Sequence, residues 1–127
     1  MLKIIIADDE KLNQTIFSKI FKGTNSVILY ADDGKQVIDL IERFSDIDLI
    51  FMDIQMPLIN GLDATKAIRE FNKDVVIIAQ TAFAYTYDKD FTQKQGCNDF
   101  INKPFTGKTI LEVVKKHIPE KVDDLEK

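Results

Sequence analysis

The chain has 127 residues, 45% of them hydrophobic and 30% charged, with a formal net charge of -4. That size and composition suit one soluble globular domain with a real core. The negative balance argues against a nucleic-acid surface, which needs clustered Lys and Arg. Cys97 is the single cysteine, so an internal disulfide is excluded. One Cys and one His, His117, make a poor zinc site. Cys97 reads as a small buried hydrophobe, and His117 as a surface residue near a helix C-terminus. No apolar run reaches transmembrane length. The start, MLKIIIADDEK, turns acidic too soon for a signal peptide, which points to a cytoplasmic protein or a cytoplasmic piece of a larger one with no membrane contact of its own.

In chain order, LKIIIA over residues 2–7 is a short apolar run that suits a strand buried on both faces. Residues 10–23 read as a helix with Leu12, Ile16, Ile20 and Phe17 on one face, stopped by Gly23. SVILYA over 26–31 is the second strand. Residues 33–44 form a helix whose apolar face is Val37, Ile38, Ile41 and Phe44. DLIFM over 48–52 is the third strand, followed by a loop over 53–61 marked by Pro57 and Asn60-Gly61. A short helix covers 62–71, and the fourth strand 75–80. Residues 84–96 read as a helix with weak apolar content and aromatic and β-branched residues early. Residues 97–101 are the fifth strand. The last helix, 106–118, turns Ile110, Val113, Val114 and Ile118 inward and ends at Pro119. The acidic tail, 119–127, is expected to fray or project.

Strand and helix alternate five times, without linker or repeat. This predicts a doubly wound parallel sheet with helices on both faces and right-handed crossovers. Five strands suit the order 2-1-3-4-5, the flavodoxin-like arrangement, whose ligands sit beyond the strand carboxyl ends between strands 1 and 3.

Asp8 and Asp9 follow the first strand, and Asp53 follows the third. In that order the three carboxylates share one crevice, where they repel unless something neutralises them. A hard divalent cation such as Mg²⁺ takes a few carboxylates and keeps its other positions for water or phosphate oxygens. A free Asp53 oxygen could then act as a nucleophile and form an aspartyl phosphate. Phosphoryl transfer also needs donors and cations for the equatorial oxygens. Thr81, at the end of the fourth strand, supplies a hydroxyl. Lys103, after the fifth strand and before Pro104, supplies a charge. Polar residues often end buried strands merely because loops meet water, but five together form a pattern.

DDE at 8–10, MDIQMP at 52–57 with Gly61, TA at 81–82 and KP at 103–104 together resemble the receiver domain of two-component response regulators, over residues 2–118. DDEKLNQ and MDIQMPLINGLDATKAIRE are most similar to receivers of hybrid sensor histidine kinases. The resemblance implies that Asp53 is the phospho-acceptor, that Asp8 and Asp9 bind the metal together with Asp53 and the backbone carbonyl of Gln55, and that Thr81 and Lys103 meet the phosphoryl group. It implies Mg²⁺ as cofactor, with Mn²⁺ as an alternative. The donor would be a histidine kinase or a histidine phosphotransfer domain. Thr81 and Phe100 would be the switch pair, acting on the surface around the fourth helix and fifth strand. The face of the fourth helix, fifth strand and last helix would be the place for a homodimer. Gln55 and Phe83 flank the approach to the phosphoryl group; the aromatic Phe83 departs from the smaller residue often found there and should exclude water. An isolated domain of this kind catalyses nothing beyond its own phosphorylation and dephosphorylation, although a parent hybrid kinase, membrane-anchored, would be an enzyme.

Other readings compete. A phosphorylation-independent interaction domain on the same fold would not need the Asp and Lys set. A Mg²⁺-dependent phosphatase would need a general acid or base, and no His lies near the strand ends. An FMN binder would offer donors in its first loop, where ADDEK offers carboxylates.

Overall fold

The five apolar runs pair into one parallel sheet of order β2-β1-β3-β4-β5. A computed structural model describes residues 1–82 and 88–127. The elements are β1 Leu2–Ala7, α1 Lys11–Phe21, β2 Ser26–Ala31, α2 Gly34–Arg43, β3 Leu49–Asp53, α3 Gly61–Arg69, β4 Val76–Thr81, α4 Lys89–Lys94, β5 Asp99–Asn102 and α5 Gly107–His117, followed by a 3₁₀ helix Pro119–Leu125. Order and class agree with the sequence reading. β3, β4 and β5 all run one residue further than expected, so Asp53 and Thr81 are the last residues of their strands rather than the first of their loops. The fourth helix is described only from Lys89, and the expected early part of it falls largely outside the described residues.

Side chains alternate across the sheet, as the strand period of two requires. On one side Ile5, Ile50, Met52, Ile77 and Ala79 pack against Val37, Ile41, Ala64 and Ile68 of α2 and α3. On the other, Ile4, Ile6, Phe51, Ile78 and Ile101 pack against Phe17, Phe21, Ile110 and Val114 of α1 and α5. By the same alternation, Asp53 and Gln80 belong to the α1/α5 side.

Two expectations are corrected. Leu12 is 69% exposed. Phe17 enters the core as expected, with its ring centroid 4.9 Å from both Phe51 and Phe105, and Ile20 packs beside it, while Leu12 turns to the surface. The tail does not project. Lys121 Nζ donates to Asp48 at 2.9 Å, the Asn25 N–H donates to the Asp124 carbonyl at 2.8 Å, and Leu125 is buried in the α1/α5 core. This docking packs the tail against the end of the sheet opposite the strand carboxyl ends.

Candidate functional site

β1 delivers Asp8 to the rim with no exposed surface. Its backbone N–H continues the ladder to the Ala31 carbonyl at 3.0 Å, and its Oδ1 accepts the Glu10 N–H at 2.9 Å. From α1, buried Gln14 donates its Nε2 to the Asp8 carbonyl at 2.7 Å and to Asp32 Oδ1 at 2.8 Å. Lys11 Nζ also reaches Asp32, at 2.9 Å. Gln14 and Asp32 thus tie the ends of β1 and β2 to the start of α1. Sequence reasoning missed both. Asp32 carried the signal, because it directly follows the second strand as Asp8 follows the first.

Asp53 closes β3, buried, with Oδ1 accepting the Gln55 N–H at 3.1 Å. The loop after it folds tightly back. The Ile54 N–H donates to the Gln80 carbonyl at 3.1 Å, and the Gly61 N–H to the Ile54 carbonyl at 2.9 Å. A Cβ on Gly61 would stand 2.1 Å from the Asp53 carbonyl oxygen, so only glycine permits this approach.

Lys103 joins the two acids. Its Nζ lies 3.0 Å from Asp53 Oδ2 and 3.2 Å from Asp8 Oδ2. Its backbone N–H donates to the Thr81 carbonyl at 2.8 Å, and the Lys103–Pro104 bond is cis. Burial raises the Asp53 pKa; Lys103 opposes this and the nearby Asp8 charge adds to it, leaving the carboxyl above its usual range. For Lys103, burial works against the ammonium, but the bonds and charges of Asp53 and Asp8 outweigh it and the pKa is raised. One ammonium between two buried carboxylates leaves an excess of negative charge.

The carboxylates of Asp8, Asp9 and Glu10 lie close enough for one ligand atom from each to fall within 4.8 Å of the others. Glu10 was not among the expected ligands. These are oxygen donors without sulfur or imidazole, so the set fits a hard divalent cation. Asp53 reaches this group through the lysine it shares with Asp8.

Thr81 is buried at the end of β4, paired across the ladder with Asn102. Phe100, on β5, is half-buried against the α2/α3 core. Gln55 is exposed. Phe83 lies outside the described residues. His117 closes α5 at its C-terminus as expected, but it is half-buried rather than a free surface residue: its Nε2 meets Asp99 Oδ2 at 2.9 Å, beside Lys116 at 3.3 Å. Cys97 is buried as expected, and burial pushes its thiol up to about 11.

The family model for the response regulator receiver domain matches residues 4–115. Hybrid signal transduction histidine kinase I of Dictyostelium discoideum is 34% identical over 130 residues, covering 96% of this chain and only 8% of the kinase. The crystal structure of the receiver domain of sensor histidine kinase PA1611 from Pseudomonas aeruginosa PAO1, with a magnesium ion coordinated in its active site cleft, is similar with a TM-score of 0.84 and 29% identity, covering 93% of this chain and 98% of that one. A chain in the co-crystal structure of the Saccharomyces cerevisiae histidine phosphotransfer protein Ypd1 with the receiver domain of Ssk1 gives a TM-score of 0.87 and 26% identity, covering 95% of this chain and 91% of that one.

Proposed function

Because the chain belongs to the response regulator receiver family, we propose that it works in a phosphorelay by accepting a phosphoryl group on Asp53 from a partner phosphohistidine. The observation that carries this reading is Lys103 Nζ held between Asp53 and Asp8. An Asp53 oxygen attacks phosphorus and the P–N bond to the partner imidazole breaks. The leaving nitrogen keeps the electron pair and takes a proton from solvent, and an acyl phosphate remains on Asp53. Lys103 holds the carboxyl ionised against its burial, then faces the charge that develops on the phosphoryl oxygens. Thr81 offers its hydroxyl to the same oxygens.

Asp8, Asp9, Asp53 and the Gln55 carbonyl would hold Mg²⁺ or Mn²⁺, with Glu10 at the edge of the set. Such a cation supplies charge neutralisation for an incoming phosphate. The magnesium in the similar Pseudomonas domain supports this choice of ion. The Ypd1 co-crystal supports a histidine phosphotransfer domain as donor, and the likeness to a hybrid kinase supports a histidine kinase, with the chain on the cytoplasmic side of that assembly. Residues 2–118 would be the receiver unit. Thr81 and Phe100 would carry the phosphorylated state to the α4-β5-α5 face, where a homodimer could form.

The test is intact mass after incubation with a small phosphodonor and Mg²⁺. One labile phosphoryl adduct is expected on the wild type and none on Asp53→Asn. An equal adduct on the mutant would overturn the assignment.

A further inference from the structure

Gln80 has no exposed surface, and neither its Nε2 nor its Oε1 has a hydrogen-bond partner among the described residues. A buried amide without partners is costly, and an apolar side chain of the same shape would fit at no such cost. Native structures keep few such groups, and each calls for a reason. The position supplies one. Gln80 is directly in register with Asp53 on one side and with Ile101 on the other. It shares their sheet face. Lys103 starts two residues beyond Ile101, at the end of β5, yet its Nζ bonds Asp53 on β3 and Asp8 after β1. β4 lies between β5 and β3. Strand spacing makes that span roughly 10 Å, so the lysine stem crosses β4 on the face that carries Gln80.

We propose that Gln80 is a positioning residue for Lys103. The proposal rests on the receiver reading of Asp53. The Lys103 ammonium bonds the two carboxylates and leaves the amide without a partner. When the acids hold a divalent cation, Asp8 has less charge to offer, and like charges push the ammonium back along its stem toward β4. Gln80 Oε1 then accepts one N–H and aims the others at the phosphoryl oxygen. A role of this kind accounts for a polar side chain kept at a buried position where an apolar one would fit. The Gln80 carbonyl already holds the Ile54 N–H, next to the acceptor, at 3.1 Å, so the same residue fixes Asp53 through its backbone and Lys103 through its side chain.

Gln80→Met keeps the length and removes the amide; Gln80→Leu is a second variant should methionine pack badly. With chelator present, the Met protein should unfold at or above the wild-type midpoint. With Mg²⁺ and a small phosphodonor, its adduct should form more slowly by roughly tenfold, the scale of one lost hydrogen bond to a charged group. With Mg²⁺ alone, the side-chain amide resonances of Gln80 and the Nζ resonance of Lys103 should shift together in the wild type, and the Lys103 shift should shrink in both variants. A purely structural Gln80 would change neither rate nor resonance when replaced by methionine, and that result would overturn the proposal. A wild type that takes no phosphoryl group would overturn the reading of Asp53, whereas the resonances need only Mg²⁺ and judge Gln80 separately.

Discussion

Asp99 shows how much a single carboxylate can tie together away from the acid crevice. Its Oδ1 accepts the Phe100 N–H at 2.9 Å, while its Oδ2 meets His117 and Lys116 of α5. Burial favours the neutral acid, but these partners outweigh it and the pKa is lowered. An acid with a depressed folded pKa contributes stability that is fully present above its unfolded value, roughly 3.9, and is lost as pH falls through the folded one. Asp99→Asn should therefore cost about 1.5–3 kcal/mol at neutral pH, the range for hydrogen bonds to a charged group. That deficit should narrow below about pH 4. Urea unfolding of both proteins across that range checks it; a deficit independent of pH would show that the charge is not what matters. This pairing was not legible beforehand, because His117 and Asp99 are distant in sequence and nothing local to either one marks it.

α1 carries apolar residues over more than one helical face, Leu12-Ile16-Ile20 and Phe17-Phe21, and the helix buries the second stripe with Ile20 beside it while Leu12 stays exposed. Periodicity alone gives no ground for choosing. The sheet chooses the larger rings, because Phe51 and Phe105 leave a slot that Phe17 fills. Phe17→Ala should cost about 3–5 kcal/mol, whereas Leu12→Ala, on the exposed side, should stay within about 0.5 kcal/mol. Thermal or denaturant midpoints of the two variants decide this; equal losses would mean that α1 sits as the first stripe suggests. The tail illustrates the same limit. Acidic composition made EKVDDLEK look like a projecting end, yet one buried leucine and the Lys121–Asp48 pair dock it. Elements with one unambiguous pattern, such as the short apolar runs of the strands and the single apolar face of α5, could be read directly.

Across the whole molecule, sheet order does the work that no local pattern can. Once β1 and β3 are neighbours, Asp8 and Asp53 must meet, and a lysine after β5 can reach them only over β4. The acids and the lysine were therefore legible from strand ends and order. Gln80 and Gln14 were not, because their importance lies in what stands beside them, whereas Asp32 could have been read in the same way from the end of β2. The concentration of carboxylates makes the metal-free protein a compromise. A cation at 100 times its dissociation constant should add about 2.7 kcal/mol by mass action. Asp9→Ala should abolish most of that increment without harming the metal-free fold, since Asp9 is exposed. Unfolding midpoints with and without Mg²⁺ check this, and an undiminished increment in the variant would place the cation elsewhere.

The central claim is that phosphorus bonds to the Asp53 carboxylate. Borohydride reduces an acyl phosphate to the alcohol, which leaves homoserine in place of the phosphorylated aspartate. Wild-type protein treated with a small phosphodonor and Mg²⁺, then reduced, digested and sequenced by mass spectrometry, should carry homoserine at position 53 and at no other aspartate. Homoserine at position 8 or 9, or a phosphoryl group that survives reduction on a serine or threonine, would contradict the account.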